Sequence, residues 1–309
     1  MIRVLFAADD AIWPEWSSPL RDAFAARGLE VDLNRHHRPE DVDAIVCAPN
    51  GPVQDFRPYD RARLVQTLWA GVEGIVGNET LAQPLARMVD PGLTEGMVEY
   101  VIAHVLRHHL GIDRILRSQD GHWNPTVPPL ARDRKVTVLG LGALGAASAV
   151  QLAALRFKVT GWSASQKDIA GVSCLSGPET LKDALRSAEI LVLLLPLTSE
   201  TEGLIDAAAL GHLPTGAVII NPGRGGLIVD ADLLAALETG AVRHATLDTF
   251  RVEPLPHDHP FWSHPGVTVT PHIASATRPE TAAAVVAENL ARAMTDKPIL
   301  HLVDRTRGY

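Results

Sequence analysis

The chain has 309 residues, enough for two domains that each bury a hydrophobic core. Apolar residues make up 46% of it, which excludes an intrinsically disordered protein. The net charge of −8, without any basic run, argues against a nucleic-acid partner. The most apolar stretch, residues 190–197, is too short to cross a membrane, so no membrane association is expected.

The sequence contains two cysteines, Cys47 and Cys174, and neither belongs to a Cys-x-x-Cys pair or to a cluster of metal-ligating residues. The N-terminal residues lack the basic and apolar segments of a signal peptide. We therefore expect a cytoplasmic protein without structural zinc.

Short apolar runs alternate with amphipathic stretches along the whole chain, a pattern that predicts an α/β protein with parallel sheets. A longer helical segment, residues 94–116, suits a spacer between two domains. Before this segment, the predicted elements are strands at 4–7, 31–33, 44–47 and 64–69 and a helix at 20–27.

After a Pro-rich loop, the pattern resumes in a second domain. Its predicted strands are residues 135–139, 158–161, 190–195, 217–221, 245–248 and 268–270. The final helix, residues 279–294, follows the last strand and has no sheet of its own to cover.

A glycine-rich turn, GLGALG at residues 140–145, joins the first strand of the second domain to an Ala-rich helix at 146–155. A G-x-G-x-x-G sequence between a strand and a helix is typical of a dinucleotide-binding site. Gly140 permits the tight turn, Gly142 lets the backbone approach a pyrophosphate, and Gly145 lets the helix pack closely on the strand. The alternative is a turn that only connects the two elements.

The next strand ends in Trp162 and Ser163, without the acidic residue that would bind the ribose hydroxyls of NAD. Ser163 and the nearby Lys167 can instead bind a 2′-phosphate, by a hydrogen bond and by charge. The sequence therefore favours NADP. In the alternative, Asp168 serves the ribose of NAD.

Three polar residues follow predicted strands in the second domain: Arg224 in NPGRG, Glu253 in RVEPLP and His272 in TPHIASA. Residues just past the carboxyl ends of the strands line the ligand crevice of a doubly wound sheet, so we expect the three to converge. Taken singly, each also fits an ordinary role in a turn, a solvated loop or the core.

Together, these residues suit hydride transfer to a carbonyl carbon. Arg224 would polarise the carbonyl group and bind an adjacent carboxylate through two N–H donors. His272 would donate the proton, and Glu253 would favour its charged form. The set therefore predicts reduction of a small 2-oxo acid.

The motifs make the chain similar to the D-isomer-specific 2-hydroxyacid dehydrogenase family over essentially its whole length. The resemblance is carried by GLGALG at 140–145, LLLPLT at 193–198 with ET at 200–201, NPGRG at 221–225, LDTF at 247–250 with EP at 253–254, and PH at 271–272. It implies Arg224, Glu253 and His272 as the catalytic set.

Within the family, the chain resembles the glyoxylate/hydroxypyruvate reductase A branch through HW at 122–123, WS at 162–163, ATRP at 276–279 and DRTRGY at 304–309. The resemblance implies reduction of glyoxylate to glycolate and of hydroxypyruvate to D-glycerate, with NADP(H) preferred and NAD(H) as the alternative. Two positions depart from this branch. Ala164 replaces an arginine that grips the 2′-phosphate, and Cys47 replaces a tryptophan against the substrate.

The resemblance also implies further binding residues. Ala70 and Gly71 would offer backbone N–H groups to the substrate carboxylate, in addition to contacts from Arg224 and His272. Asp248 would contact the nicotinamide carboxamide. The other cofactor positions that it implies are Ala143, Leu144, Leu195, Pro196, Thr201, Pro222, Gly223 and Ala274, beside Gly140, Gly142, Gly145, Trp162, Ser163 and Lys167.

The family architecture implies two doubly wound domains, with a Rossmann cofactor domain at residues 99–276 inserted into a flavodoxin-like substrate domain. The substrate domain would comprise residues 1–98 and 277–309. Members dimerise through the cofactor domain, so residues 94–123 are expected to contribute to a homodimer.

The sequence is also compatible with two other functions and with one other kind of site. The fold also suits a nucleotide-sensing, corepressor-like binding protein, and the smaller Cys47 suits a dehydrogenase for a bulkier 2-oxo acid. His104 and His108 have a spacing that can bind zinc, but no third ligand is evident, and we expect burial at an interface and no metal.

Overall fold

The computed structural model describes residues 1–309. Its strands, in chain order, are β1 (Ile2–Ala7), β2 (Val31–Asn34), β3 (Ala44–Cys47), β4 (Val65–Thr67), β5 (Leu85–Ala86), β6 (Lys135–Leu139), β7 (Lys158–Ser163), β8 (Val172–Ser176), β9 (Ile190–Leu193), β10 (Ala217–Asn221), β11 (Val242–Leu247) and β12 (Val267–Val269). Its helices are α1 (Trp13–Ala26), α2 (Pro91–Leu110), α3 (Ile112–Arg117), α4 (Ala143–Ala154), α5 (Leu181–Arg186), α6 (Ala207–Leu210), α7 (Asp230–Glu238) and α8 (Pro279–Met294).

The chain forms two compact units. Unit 1 comprises Met1–Leu93 and Ala276–Tyr309, and unit 2 comprises Thr94–Ser275. The division predicted from the sequence put these changes a few residues later, after residues 98 and 276. No helix combines the length and apolar composition that a membrane-spanning segment needs.

Unit 1 is built on a parallel five-stranded sheet with the order β2-β1-β3-β4-β5. This is the flavodoxin-like strand order. Helix α8 supplies one side of its core, because Ala283, Val286 and Leu290 lie on one helical stripe and are buried with Leu20 and Phe24 of α1. The final helix, for which the sequence showed no sheet to cover, therefore packs on the sheet of unit 1.

Unit 2 contains a parallel seven-stranded sheet with the order β12-β11-β10-β9-β6-β7-β8. The chain starts in the middle, at β6, winds outward to β8 and then returns through β9 to β12, which is the doubly wound arrangement. The predicted fold class is confirmed. The crevice outside the carboxyl ends of the strands, where the winding reverses between β6 and β9, is the expected ligand position.

Both faces of this sheet are buried because neighbouring residues of a strand point to opposite sides. In β9, Val192 packs in a cluster with residues of α2 and α4, whereas Leu191 packs in a cluster with residues of α5 and α7. The continuous apolar run of residues 190–193 thus reflects a central strand covered by helices on both sides.

Three differences from the predicted elements have local causes. The single helix expected over 94–116 is interrupted at Gly111, whose φ of +70° is left-handed and ends α2. Strand β5 has only two residues. Strand β8 lies at the sheet edge and contains two serines. Neither β5 nor β8 was predicted, because neither shows the apolar pattern of a buried strand.

Candidate active site

The glycine-rich turn is tightly packed at two of its three glycines. Gly140 has a φ of +101°, and a Cβ there would lie 2.4 Å from the carbonyl oxygen of Leu194. A Cβ on Gly145 would lie 1.7 Å from the carbonyl oxygen of Gly140. These two positions therefore require glycine for the turn and for the close approach of α4 to β6.

Gly142 differs from the other two, since a Cβ there would meet no atom within 4 Å. It is exposed with Ala143 at the N-terminus of the twelve-residue helix α4, and Leu144 is half-buried behind them. Backbone N–H groups at such an end favour an anion. The open space at Gly142, beside two glycines that packing demands, fits a pyrophosphate held against the backbone.

The last two residues of β7 are buried and hydrogen-bonded within the protein. Trp162 is buried, and its indole N–H donates to the carbonyl of Gly177 at 2.9 Å. Ser163 is buried as well, and its hydroxyl donates to the carbonyl of Ser165 at 2.8 Å. Residues 164–168, which include Ala164, Lys167 and Asp168, are exposed. The exposed part of this region therefore carries one cation and one anion.

The loop after β9 contains Leu195, Pro196 and Thr201. The side chain of Leu195 packs in the core of unit 2, and the hydroxyl of Thr201 donates to the carbonyl of Pro196 at 2.6 Å. The same hydroxyl accepts from the backbone N–H of Thr198 at 2.8 Å. These contacts give the loop a fixed backbone beside the glycine-rich turn, because β9 and β6 are adjacent strands.

The loop after β10 carries Arg224, and Asn221 holds it. The Asn221 amide donates to the carbonyl of Arg224 at 2.9 Å and accepts from the N–H of Gly223 at 3.2 Å. Pro222 and Gly223 are buried, whereas Arg224 is partly exposed and donates to the carbonyl of Gly223 at 2.8 Å. The guanidinium thus leaves a rigid turn at the carboxyl edge of the sheet.

Asp248, which follows β11, is fully buried and organises the loop after β12. Its Oδ1 accepts from the Thr270 hydroxyl at 2.6 Å and from the N–H of Ile273 at 2.9 Å. Its Oδ2 accepts from the N–H of Ala274 at 2.9 Å, and its carbonyl accepts from the N–H of His272 at 2.9 Å. The carboxylate is therefore the fixed point around which residues 270–274 wrap.

His272 and Glu253 are hydrogen-bonded, with 2.7 Å between Nδ1 and Oε2. The other carboxylate oxygen of Glu253 accepts from the N–H of Phe250 at 2.8 Å, which orients the acid. The imidazole is 52% exposed. One ring nitrogen is held by an oriented carboxylate, so Nε2 is the nitrogen that can exchange a proton with a ligand.

Two of the residues expected to bind substrate lie in unit 1, just after β4. Ala70 and Gly71 are partly exposed, and neither of their backbone N–H groups donates to an acceptor in the structure. Two unused N–H groups side by side suit an anionic ligand. Their role as donors to the substrate carboxylate stays a prediction.

The expectation that Cys47 faces the substrate is wrong. Its side chain is 1% exposed and packs in the unit 1 core with Phe56, Val65 and Leu81. Burial raises the pKa of its thiol to about 12. Cys47 fills the core of unit 1, so it gives no support to a bulkier substrate.

Sequence reasoning named Asp248 but missed the residues that hold it. The Thr270 hydroxyl lies 2.8 Å from the Tyr100 hydroxyl on α2, and the ring centroids of Tyr100 and His104 are 4.4 Å apart. Thr270 directly precedes the Pro-His pair, so the sequence motif already contained it. Tyr100, however, lies 170 residues away in sequence, and no local pattern links the two.

The histidine spacing on α2 has a structural explanation. His108 is buried, and its Nε2 lies 2.9 Å from the hydroxyl of Thr246 in β11, while Nε2 of His244 lies 2.8 Å from Thr268 in β12. Burial lowers the pKa of His108 to about 3 and that of His244 to about 4. Both imidazoles are therefore neutral at physiological pH and pack a helix against the sheet.

The chain matches a known protein family and relatives of known name in sequence. Residues 100–274 match the family model of the D-isomer-specific 2-hydroxyacid dehydrogenase NAD-binding domain. Over 303 residues, which cover 96% of each protein, the chain is 41% identical to glyoxylate/hydroxypyruvate reductase A of Yersinia enterocolitica.

The chain is also similar to solved structures over its whole length. A D-isomer-specific 2-hydroxyacid dehydrogenase of Xanthobacter autotrophicus, in complex with NADPH and MES, is similar with a TM-score of 0.93 and 40% identity, and the match covers 100% of this chain and 99% of that one. The NADPH-dependent glyoxylate/hydroxypyruvate reductase of Sinorhizobium meliloti, in complex with NADP and sulfate, is similar with a TM-score of 0.86 and 32% identity, and the match covers 100% of both chains.

Proposed function

Because this chain belongs to the D-isomer-specific 2-hydroxyacid dehydrogenase family, we propose that it reduces small 2-oxo acids with a nicotinamide cofactor. The proposed substrates are glyoxylate, which gives glycolate, and hydroxypyruvate, which gives D-glycerate. The observation that carries the proposal is the His272–Glu253 hydrogen bond of 2.7 Å, on the sheet edge that also bears Arg224 and the glycine-rich turn. The names of the Yersinia and Sinorhizobium relatives support the substrate class.

In this reaction, the protein must bind the acid, orient its carbonyl group and supply a proton. A guanidinium has five N–H donors, so Arg224 can bind the carbonyl and carboxylate oxygens while it also donates to Gly223. We assign Ala70 and Gly71 as further donors to the carboxylate. When bound, the reduced nicotinamide supplies the hydride that reaches the carbonyl carbon.

His272 supplies the proton. In the charged imidazolium, the Nδ1–H donates to Glu253, and the Nε2–H passes its proton to the carbonyl oxygen as that oxygen gains negative charge. Glu253 then balances the charge of the imidazolium before transfer and keeps the neutral ring oriented afterwards. The carbonyl carbon gains a hydride and the oxygen gains a proton, so the product is the 2-hydroxy acid.

The cofactor would lie along the carboxyl edge of unit 2. The open space at Gly142 and the exposed N–H groups at the start of α4 suit the pyrophosphate. We also assign to the cofactor site the loop residues Leu195, Pro196, Thr201, Pro222 and Gly223, and Ala274 beside Asp248. The carboxylate of Asp248 accepts three hydrogen bonds from the protein, and we assign the remaining one of its about four acceptor positions to the nicotinamide carboxamide.

We propose NADPH as the preferred cofactor and NADH as a weaker alternative. No carboxylate ends β7 to repel a 2′-phosphate, and Lys167 is exposed in the loop that follows. The Xanthobacter and Sinorhizobium structures contain NADPH and NADP. Ala164 is exposed at the position where the related branch carries an arginine, so Ala164→Arg should raise the preference for NADPH further.

The function is tested by a panel of 2-oxo acids, from glyoxylate and hydroxypyruvate to branched and aromatic acids, each assayed with NADPH and with NADH. We expect the highest kcat/KM for the two smallest acids with NADPH. Preference for a bulky acid would contradict the substrate class, and an equal or better kcat/KM with NADH would contradict the cofactor preference.

A nucleotide-sensing protein would give a different result in the same panel. It would bind NADPH tightly but oxidise it with none of the acids. The complete set of Arg224, Glu253 and His272 favours the enzyme, because a sensor needs neither a proton donor nor a carboxylate that orients it.

We further propose a cytoplasmic homodimer that assembles through unit 2. Large apolar side chains are exposed in its residues 110–130, which is typical of an interface, namely Leu110, Ile112, Ile115, Leu116, Trp123, Val127 and Leu130. Both cysteines are free thiols, which fits a reducing compartment. Light scattering should give twice the chain mass of 33.2 kDa.

The dimer proposal has a matched pair of variants. Leu116→Arg should yield monomers, whereas Leu155→Arg, at an exposed apolar residue following α4, should leave the mass unchanged. A monomeric wild-type protein at micromolar concentration would contradict the proposal.

A further inference from the structure

We infer that Tyr100 and Thr270 are positioning residues for His272, and that they act through the carboxylate of Asp248. The inference rests on the proposed function, in which His272 donates the proton. It adds two residues outside the catalytic set, one of them on a helix that carries no other residue of the site.

The three side chains form a continuous chain of short hydrogen bonds. The hydroxyl oxygens of Tyr100 and Thr270 are 2.8 Å apart, and the Thr270 hydroxyl lies 2.6 Å from Oδ1 of Asp248. Tyr100 lies on α2, Thr270 directly after β12, and Asp248 directly after β11. This series of hydrogen bonds therefore links a helix on one face of the sheet to two loops at its carboxyl edge.

The direction of the hydrogen bonds follows from the acceptor at the end. An ionised carboxylate can only accept, so Thr270 must donate its hydroxyl proton to Asp248. The Thr270 oxygen is then an acceptor, and Tyr100 is the donor to it. Burial raises the pKa of Tyr100, so its phenol stays protonated and remains a donor at every pH at which the enzyme would work.

Asp248 in turn holds residues 272–274, the loop that contains His272. Its carboxylate accepts from the N–H groups of Ile273 and Ala274, and its carbonyl accepts from the N–H of His272. His272 itself has a φ of +53°, a left-handed conformation that a side chain with a Cβ rarely adopts. Contacts on both sides of His272 must hold this backbone, and those on its C-terminal side are made to Asp248.

Loss of the phenol hydroxyl would therefore act on the chemical step more than on substrate binding. The carboxylate of Asp248 would lose part of its orientation, and the loop could move His272 away from the carbonyl oxygen. The carboxylate of the substrate would still bind to Arg224, which is held independently by Asn221. We expect a lower kcat with a nearly unchanged KM for the 2-oxo acid.

The test uses four variants: Tyr100→Phe, Thr270→Val, Thr270→Ser and the double variant Tyr100→Phe/Thr270→Val. We expect kcat to fall about fivefold in Tyr100→Phe and about 10- to 100-fold in Thr270→Val, where a bond to a charged group is lost. The double variant should match Thr270→Val within about twofold, because Tyr100 acts only through Thr270. Thr270→Ser retains the hydroxyl and should retain most of the activity.

A control and a second readout separate positioning from general damage. Tyr59→Phe makes the same change at a partly buried residue of unit 1 and should leave kcat unchanged. Hydrogen exchange should accelerate at the amides of Ile273 and Ala274 in Tyr100→Phe and Thr270→Val, while the amide of Ile219, in the central strand β10, exchanges as in the wild type.

The outcomes distinguish this inference from the proposed function. If the wild type reduces no 2-oxo acid but the two loop amides still respond, the function fails while the link from Tyr100 to the loop stands. If wild-type activity is present and the double variant shows the product of the two single effects, the inference is overturned. Unchanged loop exchange, or equally faster exchange at Ile219, overturns it as well.

Discussion

His272 is the residue on which the constraints of the candidate site converge. Its backbone is left-handed, its Nδ1 is paired with Glu253, and its N–H is bound by the carbonyl of Asp248. Only Nε2 and its path to solvent are left for chemistry, which agrees with a 52% exposed imidazole. A residue held this firmly at its backbone and still open at one atom suits proton donation.

Replacing His272 should abolish most of the turnover. His272→Ala removes the proton donor, and we expect kcat to fall about 10²- to 10⁴-fold. Glu253→Gln keeps the size of the side chain but removes the charge, and kcat should fall by a smaller factor. His257→Ala, at an exposed loop residue, serves as the control. Steady-state assays with glyoxylate measure all three, and near-normal turnover of His272→Ala would contradict the assignment.

Two glycines of the same turn should respond to alanine in opposite ways. In Gly145→Ala, the Cβ would lie 1.7 Å from a carbonyl oxygen, so we expect a loss of about 3 kcal/mol or more in stability. In Gly142→Ala the Cβ meets nothing in the protein, so stability should stay within about 1 kcal/mol. Its methyl group would occupy the space for the pyrophosphate and raise the KM for NADPH about tenfold or more.

Thermal unfolding without cofactor and NADPH titration of the rate separate these two effects. A Gly142→Ala variant with a wild-type KM for NADPH would mean that the dinucleotide does not lie against this backbone. A Gly145→Ala variant as stable as the wild type would show that α4 can move away from β6.

The places of individual residues in the fold were predictable where a motif fixes them. The glycine-rich turn, Arg224, Glu253 and His272 each follow a strand, and those strands were predicted from apolar runs. Their roles in binding and catalysis stay predictions. Cys47 was misjudged because its place in the chain does not reveal the face of β3 on which it lies. Tyr100 was missed because its partner is distant in sequence.

At the scale of elements, α2 and β11 share a pair of neutral histidines. The ring centroids of His108 and His244 are 5.0 Å apart, and each ring is hydrogen-bonded to a threonine of the sheet. Burial is the largest cause of their lowered pKa values, about 3 and about 4. Protonation of either ring would place a charge in a buried environment near Arg107 and Arg243, and the carboxylate of Asp113 offsets these two cations only in part.

Stability should therefore fall as the pH falls below about 6.5. In the unfolded chain both histidines take up a proton near that pH, whereas in the folded chain they stay neutral until about pH 3 and 4. The unfolded state thus binds more protons, and each histidine costs about 2 kcal/mol of stability at about pH 5.

Urea unfolding at about pH 7.5 and pH 5 measures this loss. His244→Gln removes one titrating group and should lose about 2 kcal/mol less than the wild type between the two pH values. His257→Gln, at an exposed residue, should behave as the wild type does. Equal losses in His244→Gln and the wild type would rule out the pair as the source.

The predictable elements were those with long or fully buried patterns. Strand β9 is apolar throughout because both faces of the sheet are covered, and its position was predicted to within two residues. The break between α2 and α3 was not predicted, since one glycine within an apolar periodic stretch does not by itself end a helix. The left-handed φ of Gly111 had to be observed.

At the scale of the whole molecule, α8 should matter to one unit only. Leu290 is 1% exposed in the core of unit 1, and neither core cluster of unit 2 contains a residue of α8. Leu290→Ala should therefore lower the stability of unit 1 by about 2–5 kcal/mol and leave unit 2 unchanged.

Hydrogen exchange in increasing urea reports on the two units separately. Protection should fall in β1 and β3 of unit 1 and persist in β9 and β10 of unit 2. Ala284→Ser, at an exposed position of α8, is the control. An equal loss of protection in both units would mean that they unfold together.

The return of the chain to unit 1 has a consequence for the order in which the protein forms on the ribosome. All strands of unit 1 emerge before residue 94, yet α8, which covers part of its core, emerges after residue 275. Unit 2 is complete in one continuous stretch and can fold as soon as that stretch is synthesised. The first sheet therefore waits, with apolar surface uncovered, through the synthesis of an entire neighbouring domain, and that interval is when the nascent chain most needs protection from aggregation.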